Sequence, residues 1–301
     1  MRTALTRRAA IGAGLASAVL GNEAGAAPGS PGPKRVVALE WSIVSMLLSI
    51  GVLPVGIGET GPYRTWVSAP ELPPGIVDVG IRNEPSLEAL AALRPDLILV
   101  SPLSRSIVPL LQAIAPVREI ATFTEERAPL RLYERELRAL AREFGRAAEA
   151  EQVIETSVDL FGRLQARLAP LADRPVLVGN FLDARHIRVF GPGSLFDDVL
   201  GRVGLRNAWT RPGNVWGFEL AGIEALGAYP DSRIAIVEPV PPDVRLTGSR
   251  PSLWTSLAPV RAGRVVVLPP AWPFGDLLAG QRFAAKLAAA LDPSGEPVAG
   301  R

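Results

Sequence analysis

Trp41, Trp66, Trp209, Trp216 and Trp272, together with Arg82, are where this chain could do chemistry. Trp41 follows the first strand-like run, and Trp66 lies in a Gly/Pro-rich stretch after the second. Trp209 and Trp216 flank the Gly213-Asn214 turn. Trp272 and Phe274 follow the apolar run Val265–Leu268. Tryptophan is costly to expose, so a set of them in loops beyond strand ends suggests a cleft for a bulky, partly apolar ligand. Trp254, between Leu253 and Leu257, reads as core instead. Arg82 falls in the same loop region, where a guanidinium grips an oxygen-rich or anionic ligand by charge-assisted hydrogen bonds. Each residue alone has a bland reading, as a cap on a core or a surface arginine. Taken as a set, they favour non-covalent capture.

Covalent chemistry finds no matching pattern. Cysteine is absent, which removes disulfides, thiolate metal sites, cysteine nucleophiles and a lipid-acceptor cysteine. His186 is the single histidine, and no carboxylates cluster at metal-ligand spacing. Asp183 lies near His186, but no serine sits in a G-x-S-x-G elbow to complete a triad. Gly56-Ile-Gly-Glu-Thr-Gly61 fits G-x-G-x-x-G, yet Pro62 and Tyr63 stand where the helix of a dinucleotide site should open. No enzyme activity, resident metal or cofactor is expected.

The elements that must position these residues alternate between strand and helix, which argues α/β. Asp78–Val100 is the most informative stretch. Pro85-Ser86 opens a helix with Leu87, Leu90 and Leu93 on one face, Arg94-Pro95 stops it, and Leu97–Val100 reads as a buried strand. Residues 223–237, IEALGAYPDSRIAIV, repeat residues 87–100, LEALAALRPDLILV, matching Glu88 to Glu224 and Pro95-Asp96 to Pro230-Asp231. Val36–Gly51 likewise echoes His186–Gly204, and Ala115-Pro-Val-Arg118 echoes Ala258-Pro-Val-Arg261, each before a strand. Ordered self-similarity of this kind predicts two lobes of similar build.

Further strands are expected at Val52–Gly58, Val117–Phe123, Val176–Phe181, Ile187–Phe190 and Ile234–Val237, with residues 59–77 and Ser101–Arg105 as loops. Helices are expected at Ser42–Ile50, Val108–Ile114, Pro129–Phe144, Ser194–Val203, Ala221–Ala228, Leu253–Ala258 and Asp276–Leu291. Arg146–Leu171 reads as a helix about 39 Å long, a connector between lobes. The expected organisation is a signal peptide over 1–26, an N-terminal α/β lobe over 34–144, a linker helix over 145–172 and a C-terminal α/β lobe over 173–301.

With 48% hydrophobic residues the chain can bury a large core, and a net charge of +2 without long basic runs argues against nucleic acid. Residues 1–26 carry the three parts of a secretory signal: Arg2, Arg7 and Arg8, an apolar run Ala9–Leu20, and Ala24-Gly25-Ala26 before the cut. Arg7-Arg8 after Thr6 favours a twin-arginine route, and the mature protein is expected in the periplasm.

The strings RVVALEW, YRTWVSAPELP, DVGIRNEPSLE, DARHIRVFGPGSLF, NVWG and PAW resemble the periplasmic ferrichrome-binding proteins of bacterial iron–hydroxamate ABC importers. The resemblance runs from Arg35 to about Leu291. It implies two α/β lobes on one long helix and a shallow cleft between them. It also implies a monomer that captures a ferric siderophore, delivers it to an ABC permease dimer and performs no catalysis, the iron being held by the siderophore. The family's cleft arginine falls on Arg82, and its cleft aromatics on Trp66, Trp216 and Trp272, with Trp41, Phe181, Asn214 and Phe274 nearby. The permease-docking glutamates fall on Glu88 and Glu224. The family's hydroxamate-binding tyrosine falls near Ser104 and a preceding aromatic on Val100, while Arg105 adds a charge. That departure opens the ligand class to a carboxylate-bearing siderophore beside a hydroxamate. A cobalamin- or haem-binding importer component is the nearest alternative, and an extracytoplasmic hydrolase the enzyme alternative.

Overall fold

The computed structural model describes residues 35–246 and 252–292. The expected signal peptide, residues 1–26, and the end of the Pro239–Pro251 loop therefore lie outside the described residues.

The first sheet is wholly parallel. It contains β1 (Val36–Ala38), β2 (Gly56–Ile57), β3 (Val77–Asp78), β6 (Leu97–Val100) and β7 (Val117–Glu119), in the order β3-β2-β1-β6-β7. A short antiparallel pair, β4 (Gly80–Ile81) and β5 (Glu84–Pro85), carries the chain from β3 back toward the sheet. Alternation along the strands divides their side chains between two faces. Val37, Leu39, Ile98 and Val100 pack beneath α3 (Leu87–Leu93) and α4 (Val108–Gln112), around Leu90 and Leu111. Val36, Ala38, Leu97 and Leu99 face the other way, toward α1 (Trp41–Ser49). The α3 helix starts where expected, because the Ser86 hydroxyl accepts the Ala89 N–H at 3.1 Å.

The second sheet is mixed. It contains β8 (Val176–Phe181), β9 (His186–Phe190), β10 (Phe218–Gly222), β11 (Arg233–Val237) and β12 (Val265–Leu268), in the order β10-β9-β8-β11-β12. The β8-β9-β10 part is antiparallel, and β8, β11 and β12 run parallel. Between the sheets run α5 (Pro129–Glu143) and α6 (Ala147–Leu168), separated by Gly145 at φ +66°. The α6 helix has 22 residues, and the chain then tightens into a 3₁₀ turn over Ala169–Leu171 containing Pro170, which makes α6 shorter than the expected span. One continuous apolar core joins both sheets through α1, α5, α6, α7 (Leu195–Arg202) and α10 (Leu277–Leu291); Tyr133, Phe161, Phe196 and Phe283 lie in it.

Several local expectations need correction. Thr60–Trp66 is a helix, α2, inside the expected loop. Pro62 falls in its first turn, where a missing N–H costs little, and the Asp78 carboxylate accepts both the Thr60 N–H and hydroxyl. Pro102–Ile107 is a 3₁₀ helix rather than a loop. The helix expected from Ala221 gives way to the edge strand β10, followed by a 3₁₀ helix at Ile223–Ala228. The Ala-Pro-Val-Arg repeat adopts two structures: Val117-Arg118 lies in β7, whereas Ala258–Arg261 is the helix α9, after α8 (Leu253–Ser256). Val36–Gly51 and His186–Gly204 are not equivalent either, because β1 is the third strand of its sheet and β9 the second of its own.

Candidate functional site

A cavity of about 730 Å³ lies between the two sheets. Its first wall is built beyond the carboxyl ends of parallel strands, with Glu40 after β1, Ser101 to Leu103 after β6 and Ile120 to Glu125 after β7, and from the turn of the antiparallel β4–β5 pair, which carries Arg82. Its second wall carries Arg188 from β9, Val215 and Trp216 before β10, Phe218 on it, and Trp272 and Phe274 after β12.

Arg82 is held on all sides. Its Nε donates to Glu59 Oε2 at 2.6 Å and its Nη1 to Glu40 Oε1 at 3.0 Å. The guanidinium carbon sits 3.7 Å from the centre of the Trp41 ring. Gly58 makes this approach feasible, since a Cβ there would meet Arg82 Cγ at 2.8 Å. Trp41 is itself fixed by donating Nε1–H to the Gly58 carbonyl at 3.0 Å. Burial pushes the Glu40 carboxyl above its ordinary pKa, against the opposing pull of the Arg82 charge and the Trp41 N–H.

Trp272 is the hub of the aromatic wall. Its ring lies 4.8 Å from Trp41, 5.9 Å from Trp66 and 5.3 Å from Phe274. Trp216 stacks beside Phe218 at 6.2 Å, and Phe218 reaches Phe274 at 5.8 Å. A second cavity of about 220 Å³ shares Arg188, Trp272 and Phe274 with the first and is also bounded by Trp66 and Asn180.

The structure thus brings Arg82, Trp66, Trp216, Trp272 and Phe274 together around the two cavities, with Trp41 buried behind the wall against Trp272 and Arg82. It leaves others outside. Phe181 is buried against Trp254 at 5.2 Å in the core of the second sheet, and Trp209 is wholly buried there beside Tyr229. Asn214 holds the turn rather than the ligand wall, its Oδ1 accepting the backbone N–H groups of Trp216 and Phe218. Ser104 is buried behind the wall and donates to the Arg82 carbonyl at 3.3 Å, which makes it a support for Arg82. Arg105 reaches the rim, but both its Nε and Nη2 are spent on Glu119, at 2.7 and 2.6 Å. Glu88 and Glu224 are exposed, away from both cavities.

A model of the family described as periplasmic binding protein matches residues 36–271. The chain belongs to that family. The iron(3+)-hydroxamate-binding protein FhuD of Escherichia coli is 34% identical over 252 residues, covering 83% of this chain and 84% of that one. The solved structure of Fe3+–Desferal-bound FhuD from Vibrio cholerae superposes with a TM-score of 0.81 at 29% identity, over 85% of this chain and 97% of that one. The Fe(3+) dicitrate-binding periplasmic protein FecB of Escherichia coli matches more locally, 39% identical over 89 residues, which is 28% of this chain and 29% of that one. Like these relatives the chain is a substrate-binding protein and not an enzyme.

Arg188 is among the wall residues that the sequence reading missed, together with Glu40 and Phe218. It lines both cavities, half-buried, and its guanidinium lies 4.8 Å from the Phe218 ring and 5.9 Å from the Phe274 ring. The available signal was strand alternation: Ile187 and Val189 are buried in the core, which turns Arg188 to the opposite face.

Proposed function

We propose that this chain captures a ferric siderophore in the inter-lobe cleft and hands it to an ABC-type importer for iron uptake. The observation that supports this most directly is the composition of the cleft. An aromatic wall centred on Trp272 stands opposite Arg82, whose guanidinium is preset by two carboxylates and a tryptophan face. A ferric siderophore presents a matching surface, with apolar linkers around an oxygen-rich metal centre. The coordination of iron is supplied by the siderophore, so the protein needs only shape, ring faces and hydrogen-bond donors.

The ligand-binding residues in this reading are Arg82, Trp66, Trp216, Trp272 and Phe274, with Trp41, Ser104 and Asn214 acting through the groups and segments they hold. Residues 34–144 and 173–301 serve as the lobes and 145–172 as the linker; the protein works as a monomer in the periplasm after export, with Glu88 and Glu224 meeting the permease. The relative named for iron(3+)-hydroxamate binding supports a hydroxamate ligand, and the serine at the position of the family's tyrosine leaves room for other oxygen donors.

Titration of the intrinsic tryptophan fluorescence tests this. Trp66, Trp216 and Trp272 border the cavities and Trp41 touches Trp272 from behind, so ligand entry should quench a large share of the emission. Saturable quenching by ferric siderophores and none by haem or cobalamin is the expected result. Saturable quenching by haem or cobalamin alone would replace the reading with that of the corresponding importer component.

A further inference from the structure

Two of the three arginines at the larger cavity, Arg82 and Arg188, differ in one respect. Arg82 is neutralised by Glu40 and Glu59, whereas among the described residues the Arg188 side chain has no ion-pair or hydrogen-bond partner. Its Nε is buried and unpaired, and the Phe218 and Phe274 faces are its closest company. Glu238 borders the smaller cavity and Glu125 the larger, yet neither forms an ion pair with it. Burial alone holds its pKa below the ordinary arginine value, with no carboxylate acting in the other direction. A half-buried charge without a partner is unfavourable in the free protein, and a ligand that brings the counter-charge relieves it. A planar guanidinium fixed between ring faces is also suited to bidentate recognition of a carboxylate.

We propose that Arg188 is a carboxylate receptor in the cleft, so that the preferred cargo is a ferric siderophore carrying a free carboxylate. This rests on the siderophore reading above and narrows it. Arg105, the other arginine at this cavity besides Arg82, does not fill the role, because Glu119 already occupies its fork. The charge that selects the ligand therefore belongs to the C-terminal lobe, while the N-terminal arginine contributes hydrogen bonds from a neutralised cluster.

The test uses one iron chelate in three charge states. Ferric desferrioxamine B ends in an ammonium; its N-acetyl derivative is neutral there, and its N-succinyl derivative ends in a carboxylate. Each is titrated by tryptophan quenching into wild type, Arg188→Leu and Arg188→Lys, with circular dichroism to confirm folding. In wild type the succinyl complex should bind about tenfold or more tighter than the acetyl complex, the scale of one charge-assisted hydrogen bond. Arg188→Leu should abolish that preference, bringing the ratio of succinyl to acetyl affinity to about one. Arg188→Lys should retain part of it, since it keeps the charge and loses the fork. Should Arg188→Leu fail to fold, Arg188→Gln is read in its place. Equal affinity for the acetyl and succinyl complexes in wild type overturns the carboxylate assignment alone, as does a preference that survives in Arg188→Leu. Failure of all three complexes to bind overturns the siderophore reading and this one with it.

Discussion

The two lobes solve the same problem with different sheets and different electrostatics. The N-terminal sheet is all parallel, so its strand ends point one way and deliver Glu40 and Ser101 to one rim as loop residues, where the turn of the β4–β5 pair adds Arg82. The C-terminal sheet keeps β8, β11 and β12 in the positions of β1, β6 and β7 but replaces the remaining half with antiparallel strands. As a result Arg188 enters the cleft from within a strand, and Trp216 from the turn that leads into the next. Loops with nearby carboxylates can wrap an arginine, whereas a strand offers it only the groups its register supplies. Here the register puts Asn180 and Leu220 beside Arg188, neither of them a carboxylate, and the guanidinium stands over the rings of Phe218 and Phe274. The N-terminal lobe therefore presents paired guanidinium groups, Arg82 and Arg105, and the C-terminal lobe an unpaired one, Arg188, to the same cavity.

The largest expected difference follows from removing each arginine. Arg82→Ala should lower ligand affinity about ten- to 150-fold, the range for a hydrogen bond involving a charge. It should also lower the urea midpoint of the free protein, because the buried Glu40 loses its opposite charge. Arg188→Leu should leave that midpoint unchanged or raise it, since it removes a half-buried charge without orphaning a partner. Urea denaturation of both variants without ligand checks the comparison. A midpoint lowered equally by the two would mean that the lobes do not differ in this way.

Much of this was legible in the sequence, and the exceptions share a cause. Leu97–Val100 and Ile234–Val237 read as buried strands because both of their faces are covered, so composition alone identified them. The tryptophans at 41, 66, 216 and 272 read as a cleft because they stand outside any apolar period. Trp209 was indistinguishable from them by position, and its burial depends on Tyr229 and β9, which are remote in sequence. Arg188 was hidden for the opposite reason: it sits inside a strand, where a charge reads as the solvated face, and its neighbours Phe218 and Phe274 are distant in the chain. The Ala-Pro-Val-Arg string shows the same limit, as strand in one lobe and helix in the other, since tertiary packing overrides local preference.

A smaller effect sharpens the N-terminal side of the comparison. Glu40 has its pKa raised in the folded protein, so over the interval above about 4.5, the ordinary glutamate value, the folded state holds more protons than the unfolded state. Its contribution to stability therefore falls as pH rises through that interval and is level below it. Glu40→Gln removes the titration. Relative to this variant, wild type should lose stability as pH rises from about 4.5 toward neutrality, and the difference should be flat at lower pH. Urea midpoints of both proteins across pH 4 to 8 give the comparison, the variant's own curve cancelling every other titrating group. A difference independent of pH would mean that Arg82 and the backbone fully offset the burial of Glu40.

The last comparison concerns surfaces where the lobes match. Glu88 stands in the first turn of α3, before β6, and Glu224 in the first turn of the 3₁₀ helix before β11. Those two strands hold the same place in their sheets, fourth in each order, so the glutamates occupy equivalent points of the two lobes. Their local roles are slight. Glu88 accepts the Ser86 hydroxyl at 3.1 Å, and the Glu224 side chain folds back toward Gly222 on a turn without a side-chain cap. Helix-dipole stabilisation at such exposed sites is worth about 0.3–1 kcal/mol at low salt. Replacing both by alanine should therefore leave the fold intact and ligand affinity within about twofold. Under the proposed docking role, in which one carboxylate per lobe registers the loaded protein on a two-subunit permease, uptake of the iron complex by cells should nonetheless fall sharply. Reversal to arginine at both positions should impair uptake further, by adding repulsion. Ligand titration in vitro and uptake in vivo on the same double variant decide it: normal uptake removes the docking role, and lost ligand affinity assigns the pair to the fold instead.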